Sequence, residues 1–327
     1  MTKIIRALGL FSGGLDSMLA AAVLRAQGLD VTLINFVTPF FGAERARQSA
    51  AHLGLPLQEV DLTAKFLPLL YHPPHGWGRG HNPCIDCHIL MLREAGSLMA
   101  ATGFDFLFSG EVLGQRPMSQ NRGSLNLIAR ESGFADLLLR PLSAKFLKAT
   151  RPEILGWVDR ERLLNLSGRG RKRQMALAEA YGITQYPAPA GGCLLTDPGY
   201  AARIKELLSH VPEASRPDLE LLKYGRHFRL PGGGKAVVGR TQRDNEAILA
   251  LRSPQDFWLK VDNYPGPVVL LCGSDSWEDL EEAASLAAAY SDAPPGATVM
   301  VTAGDDGPDR IFQLTTPGKD RFKPWLV

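Results

Sequence analysis

One short segment, Ser12-Gly13-Gly14-Leu15-Asp16-Ser17, narrows the folds open to this chain. It sits between an apolar run at residues 4–11, which reads as a buried strand, and residues 15–27, whose apolar positions recur at helical spacing. Two glycines at such a junction let the backbone reach positive φ and bring N–H groups close to an anion. The N-terminus of the following helix adds a favourable dipole. The hydroxyls of Ser12 and Ser17 add donors. Asp16 is the odd member, because a carboxylate repels a phosphate unless a cation lies between them; a Mg2+ bridging it to pyrophosphate removes the conflict. The bland reading is a glycine turn with an aspartate opening the helix. No Walker-type G-x-x-x-x-G-K-[ST] occurs. Gly232-Gly233-Gly234-Lys235 lacks the glycine spacing and the hydroxyl residue, and reads as a hairpin turn.

Strand-like and helix-like stretches alternate through the first part of the chain, with strands at 31–36, 57–62, 104–110 and 136–142, a helix at 43–53, and helical stretches ahead of the last two strands. That is the pattern of an α/β fold with a doubly wound parallel sheet, in which ligands bind at the carboxyl ends of the strands. Beyond about residue 195, short strands at 226–230, 236–238, 257–261, 268–272, 298–302 and 310–314 mix with helices near 200–210 and 277–290. A second, smaller α+β domain is expected, with domains at 1–197 and 198–327. With 327 residues, 45% of them hydrophobic, the chain can bury a sizeable core. No apolar run approaches the roughly 20 residues of a membrane-spanning helix, so no membrane partner is expected. The start, MTKIIRALGLFSGG, has too short an apolar stretch for a signal peptide, and four cysteines are too few for a disulfide framework; a cytoplasmic location is expected.

The net charge of +2 is a sum of unlike parts. Residues 140–173 hold ten Lys or Arg against Glu153, Asp159 and Glu161, a local charge of +7 that leaves −5 for the rest. Within this segment Arg169, Arg171, Lys172 and Arg173 form a glycine-interleaved basic run, suited to phosphate contacts that position an RNA without reading its sequence. A solvated helix face is the alternative. Residues 71–87, rich in Gly, Pro and His, form a long connection of the kind that usually carries function.

The Ser12–Ser17 segment resembles the PP-loop of the ATP-pyrophosphatase superfamily, with its adenine nucleotide alpha-hydrolase-like fold, whose members cleave ATP between the α- and β-phosphates to adenylylate a substrate. Gly110-Glu111-Val112-Leu113-Gly114-Gln115, followed by Ser119-Gln120, resembles a stretch of the ThiI-type tRNA 4-thiouridine synthases, with one residue more between its halves here. The helical segment from His88 to Arg93 resembles their basic segment near ATP, with His88 where Lys or Arg is usual. The resemblance implies nucleotide contacts from Leu10, Phe11, Ser12, Gly13, Gly14, Asp16, Ser17, Asn35, Phe36, His88 and Gly110. Gln120 completes the set, with Gln115 and Ser119 as competitors. ThiI-type enzymes usually carry an RNA-binding module ahead of the PP-loop domain. Here the first strand starts near residue 4, so RNA is expected to dock on the basic stretch and on the C-terminal domain, which from about residue 198 resembles the RNA-binding domain of NFACT proteins.

Cys84-Ile85-Asp86-Cys87 marks a loop-to-helix start, and Cys193 closes a Pro-Ala-Gly-Gly-Cys loop at 189–193. A C-x-x-C pair and a remote third cysteine can share one centre, either a [4Fe–4S] cluster with one iron lacking a protein ligand, or a zinc site closed by His81 or His88. The arrangement resembles that of PP-loop tRNA thiolases, including MnmA-like 2-thiouridine synthases and cluster-dependent ThiI-like proteins. It implies either a [4Fe–4S] cluster on Cys84, Cys87 and Cys193, or a persulfide on Cys193 resolved as a disulfide; without a rhodanese-like domain the cluster is favoured. Cys272, at the end of an apolar strand, reads as a packed thiol.

Taken together, the resemblances imply an ATP-dependent tRNA uridine sulfurtransferase. Asp16, Cys84 and Cys193 would be catalytic, ATP, Mg2+ and [4Fe–4S] the cofactors, and tRNA and a sulfur donor (sulfide or a persulfide carrier) the partners. The alternatives are a PP-loop ligase acting on a small-molecule acceptor and a nonenzymatic RNA- or nucleotide-binding protein.

Overall fold

The computed structural model describes residues 3–188, 192–305 and 309–327, and the chain divides into two compact units, Met1–Asp197 and Pro198–Val327. The first unit runs β1 (Arg6–Leu10), α1 (Leu15–Arg25), β2 (Asp30–Val37), α2 (Glu44–Leu53), β3 (Leu57–Asp61), the single-turn helices α3 (Thr63–Phe66) and α4 (Pro68–Tyr71), α5 (Cys84–Thr102), β4 (Phe106–Ser109), α6 (Arg122–Ser132), β5 (Leu138–Leu139), α7 (Arg151–Ile154) and α8 (Lys172–Ala180). Its five strands form one parallel sheet in the order β3-β2-β1-β4-β5. Parallel strands are covered on both faces, which is why they read as continuous apolar runs. Ala7, Leu33 and Phe106 belong to the core under α1, and Leu8, Ile34 and Leu107 to the core under α5 and α6. α1 is buried over Leu15 and from Ser17 to Leu24, because it is packed by the sheet, α2 and α8 at once.

The strand expected at 136–142 contracts to Leu138–Leu139. Residues 135–137 form a 3-10 turn on one side, and on the other Arg140 turns its guanidinium to Glu111.

From β1 the chain moves outward to β2 and β3, then returns past β1 to β4. The strand order therefore reverses between β1 and β4, where neighbouring connections part and leave a crevice at the carboxyl ends. Leu10 and Ser109 are register partners, so the segments that follow β1 and β4 leave the sheet side by side. Gly110 permits the contact: a Cβ there would lie 2.6 Å from Ser17 Cα and N and 2.7 Å from the Asp16 carbonyl carbon.

The second unit contains α9 (Pro198–His210), α10 (Arg216–Leu221), β6 (Arg226–Arg229), β7 (Lys235–Val238), α11 (Gln242–Ala250), β8 (Phe257–Val261), β9 (Val269–Cys272), α12 (Trp277–Tyr290), β10 (Thr298–Gly304) and β11 (Arg310–Thr315). Its six-stranded antiparallel sheet has the order β11-β10-β8-β9-β7-β6, with α12 packed in the main core and Ile248 of α11 in a second one. The glycine cluster is a hairpin turn between β6 and β7. Gly233 has φ +98°, and the amides of Gly232 and Gly234 donate to the fully buried Asp279 carboxylate at 3.0 and 2.8 Å. Cys272 packs against the second core, and burial pushes its thiol well above the usual range. Among the described residues no helix is long and apolar enough to cross a membrane.

The tight packing at Gly110 has a direct consequence. Gly110→Ala should lower unfolding stability by about 1–3 kcal/mol, because the methyl meets backbone that cannot rotate away. Gly42→Ala, where an added Cβ meets nothing within 4 Å, should change it by no more than about 0.5 kcal/mol. Urea titration of the two variants measures the difference.

Candidate active site

The PP-loop segment lies at the switch point. Gly13 has φ +72°, and a Cβ on it would lie 2.4 Å from the Arg45 carbonyl oxygen, so only glycine fits against the start of α2. The buried Ser49 hydroxyl donates to the Gly13 carbonyl at 2.8 Å and fixes the loop from the same side. Gly14 is the N-cap of α1 and supplies no side-chain cap, while Ser17 Oγ donates back to the Gly14 carbonyl at 2.8 Å. The first-turn amides of α1 are thus left for another acceptor, beside the exposed Ser12. Asp16 Oδ2 accepts from Gln115 Nε2 at 2.9 Å, and Oδ1 is buried with no hydrogen-bond partner. Burial pushes the Asp16 carboxyl up, opposed by the Gln115 hydrogen bond and the charges of Arg171 and Arg116. An unpaired carboxylate oxygen at a phosphate-type loop fits a divalent cation.

Leu10, Phe11, Asn35 and Phe36 close the ends of β1 and β2. Asn35 Nδ2 donates to the Phe11 carbonyl at 2.7 Å, which leaves Asn35 Oδ1 buried and unpaired. Phe11 belongs to the core under α1, whereas Phe36 and the half-buried Leu10 belong to the core under α5. Gln120 is buried with Oε1 unpaired, and its carbonyl accepts from Gly114 N at 2.7 Å. Of the three competitors, Gln115 is the one that reaches Asp16; Ser119 is buried.

His88 has a partner that the sequence motif alone did not disclose. Its Nδ1 lies 3.0 Å from Glu111 Oε1, and Glu111 Oε2 accepts from Arg140 Nε at 2.8 Å and Ser109 Oγ at 3.0 Å. Burial opposes the charge on Glu111, but Arg140 and His88 hold its carboxyl well below the usual range. Loss of either member of the buried Glu111–Arg140 pair would strand the other's charge, a cost of about 3–5 kcal/mol. With Nδ1 committed, Nε2 is the nitrogen His88 has for a substrate.

The three cysteines of the expected centre share one region of the first unit. Cys84 and Cys87 lie on the first turn of α5, where Asn82 Nδ2 donates to Cys84 Sγ at 3.1 Å. Leu194 N donates to the Phe40 carbonyl at 3.0 Å and so ties the Cys193 segment to the connection after β2; residues 189–191 of that loop lie outside the described residues. Burial raises both thiols, Cys87 well above its usual range, with further increments from Cys193 and Cys84, and Cys193 to about 12, where Arg116 pulls the other way. Among the described residues no group of three or more His, Cys, Asp or Glu is set to hold a metal ion. Asp86, between the two cysteines, is buried and accepts from His75 N at 3.0 Å, with His75 Nδ1 2.7 Å away. Its place inside the C-x-x-C was the only sequence signal for this pairing.

Many cations of the 140–173 segment are engaged internally. Arg140 is buried on Glu111, Lys145 pairs with Glu161 at 3.3 Å, Arg160 with Glu153, and Arg151 with Asp136 at 3.5 Å. Arg173 donates to Asn165 Oδ1 at 2.6 Å, and the field of Arg171 falls on Asp16. Arg169 and Lys172 are exposed. The segment thus serves the fold and the PP-loop as well as presenting charge to solvent.

Comparison with known proteins agrees with this geometry. Residues 4–145 match the family model of the thiamine biosynthesis protein ThiI, and residues 225–326 match that of the NFACT protein RNA binding domain. The tRNA-specific 2-thiouridylase MnmA of Roseiflexus castenholzii is 28% identical over 258 residues, covering 71% of this chain and 68% of that protein. The MnmA of Syntrophotalea carbinolica is 38% identical over 117 residues, 30% of this chain and 32% of that one. A tRNA sulfurtransferase of Desulfurococcus amylolyticus is 28% identical over 147 residues, 42% of this chain and 29% of that one. The chain thus spans about a third or less of the last two relatives. By motif, topology and family match residues 4–145 are similar to ThiI, and residues 225–326 are similar to the NFACT protein RNA binding domain.

Proposed function

We propose that this protein is an ATP-dependent tRNA uridine sulfurtransferase. The observation that carries the reading is the placement of an uncapped helix N-terminus and the half-satisfied Asp16 at the β1/β4 switch point, in the same unit as Cys84, Cys87 and Cys193. The α1 amides and the Ser12 hydroxyl bind the phosphates of ATP, the Ser17 hydroxyl is committed to the Gly14 carbonyl and holds the loop, and Asn35 Oδ1 accepts from the adenine amine. Asp16 would hold Mg2+, which when bound offsets the charge of the leaving pyrophosphate. A uracil carbonyl oxygen attacks the α-phosphorus, the bond to the β-phosphate bridging oxygen breaks, and pyrophosphate leaves. The oxygen, now part of an AMP ester, is a good leaving group. The target uridine must leave its stack to reach this site.

Sulfur delivery falls to the cysteines. A persulfide on Cys193 attacks the activated ring carbon and AMP departs; Cys84 then attacks the Cys193 sulfur, releasing the thiouridine and leaving a Cys84–Cys193 disulfide for an external thiol to reduce. Arg116, whose charge acts on both Asp16 and Cys193, favours the anionic sulfur. Arg169, Lys172 and the second unit contact the tRNA backbone.

Nucleoside mass spectrometry of unmodified tRNA incubated with the protein, MgATP and a persulfide donor tests the reading. Thiouridine should form with the wild type and fall at least about a hundredfold with Cys193→Ala; no product from the wild type refutes it. Asp16 supplies a second, opposed pair of effects. Its folded-state pKa is raised, so its contribution to stability is full below the ordinary carboxylate range and is lost as pH rises through the folded value. At neutral pH its charge therefore opposes folding, and Asp16→Asn should raise Tm by a few degrees while abolishing thiolation. Cys193, with a pKa of about 12, should alkylate slowly with iodoacetamide at pH 7.5 and faster at each unit toward pH 11, read by peptide mass spectrometry.

A further inference from the structure

The connection between α4 and α5 is long, yet it is pinned at three places. His75 is held by Asp86 through its ring and its amide, at 2.7 and 3.0 Å. Gly78 N donates to the Asn82 carbonyl at 2.9 Å, and Asn82 in turn donates to Cys84 Sγ. Trp77 Nε1 and His81 Nε2 converge on the Leu70 carbonyl oxygen at 3.2 and 2.8 Å. That shared acceptor sets the two rings in a stack, with centroids 5.0 Å apart and planes inclined by 27°. One face of Trp77 is thus backed by an imidazole, and the side chain stays 44% exposed. Leaving a tryptophan in water while fixing its orientation forgoes a burial gain that a packing role would have taken. Residues 71–83 contain no Asp or Glu, and Arg79, two residues after the tryptophan, is exposed.

We propose that Trp77, backed by His81, is a stacking platform for an unpaired tRNA base next to the target uridine, with Arg79 on the adjoining phosphate. An oriented, solvent-facing aromatic beside a cation is what a single-stranded nucleotide recognises, and such stacking tolerates any base. The platform lies on the connection that leads into the C-x-x-C, between His75, held by Asp86, and Asn82, which donates to Cys84 Sγ. This inference rests on the thiolase reading but adds a surface outside the nucleotide loops, the basic segment and the second unit.

Steady-state thiolation with Trp77→Ala and Trp77→Phe tests it, together with Kd for unmodified tRNA by fluorescence anisotropy and thermal melts to confirm folding. Trp77→Ala should raise the tRNA KM and Kd about tenfold or more and leave the ATP KM within about twofold, while Trp77→Phe restores both tRNA values to within about threefold of wild type. Unchanged tRNA KM and Kd in a folded Trp77→Ala protein overturns the platform. So does a rise confined to the KM of a protein sulfur donor, which would make this face a donor dock. Absence of thiolation by the wild type refutes the thiolase reading itself, and the tRNA Kd values still decide the platform.

Discussion

A buried carboxylate with one unsatisfied oxygen, set at a helix end that has no cap, is the interaction on which the rest of this structure depends. Asp16 opposes folding while charged, and the surrounding packing holds it in place. Gln115 reaches it and Arg116 acts on it from the segment after β4, Arg171 acts on it from the start of α8, and Gly110 lets the post-β4 segment approach within contact of the α1 backbone. Each of these would be superfluous around an ordinary turn. In the proposed function, the electropositive helix start takes a polyphosphate and the orphan carboxylate takes its cation, since either ligand alone would leave one of the two unsatisfied.

The same physics explains what the sequence disclosed. The parallel sheet was legible because strands covered on both faces must be apolar throughout, and the PP-loop because a strand, two glycines and a helix leave few alternatives. The expected strand at 136–142 was overstated because its last positions are held by a long-range ion pair: nothing local to Arg140 reveals that Glu111 waits 29 residues upstream. α10 and α11 went unread although their signals are local. Ser215 with Asp218 forms a capping box, and Thr241 caps α11 by accepting from Asp244 N. Those were overlooked start signals, whereas the Asn35 and Gln120 orphan oxygens are tertiary facts that no window of sequence contains.

The basic segment is divided in use. Of its cations, Arg140 pairs with Glu111 and Arg160 with Glu153, while Arg169, Lys172 and Arg173 are exposed. The three cysteines expected to share one centre lie in the first unit, and burial raises the thiols of Cys87 and Cys193. In the proposed mechanism the transferred sulfur is a persulfide, a more acidic species than a thiol.

The central claim is that the uracil oxygen is activated by adenylylation and leaves with AMP. The most direct measurement uses tRNA carrying 18O at the uracil carbonyl oxygens, with the AMP released in one turnover analysed by mass spectrometry. The account predicts one 18O in each AMP formed per thiouridine, and none in pyrophosphate. Unlabelled AMP, or label appearing in pyrophosphate or solvent water, would contradict it.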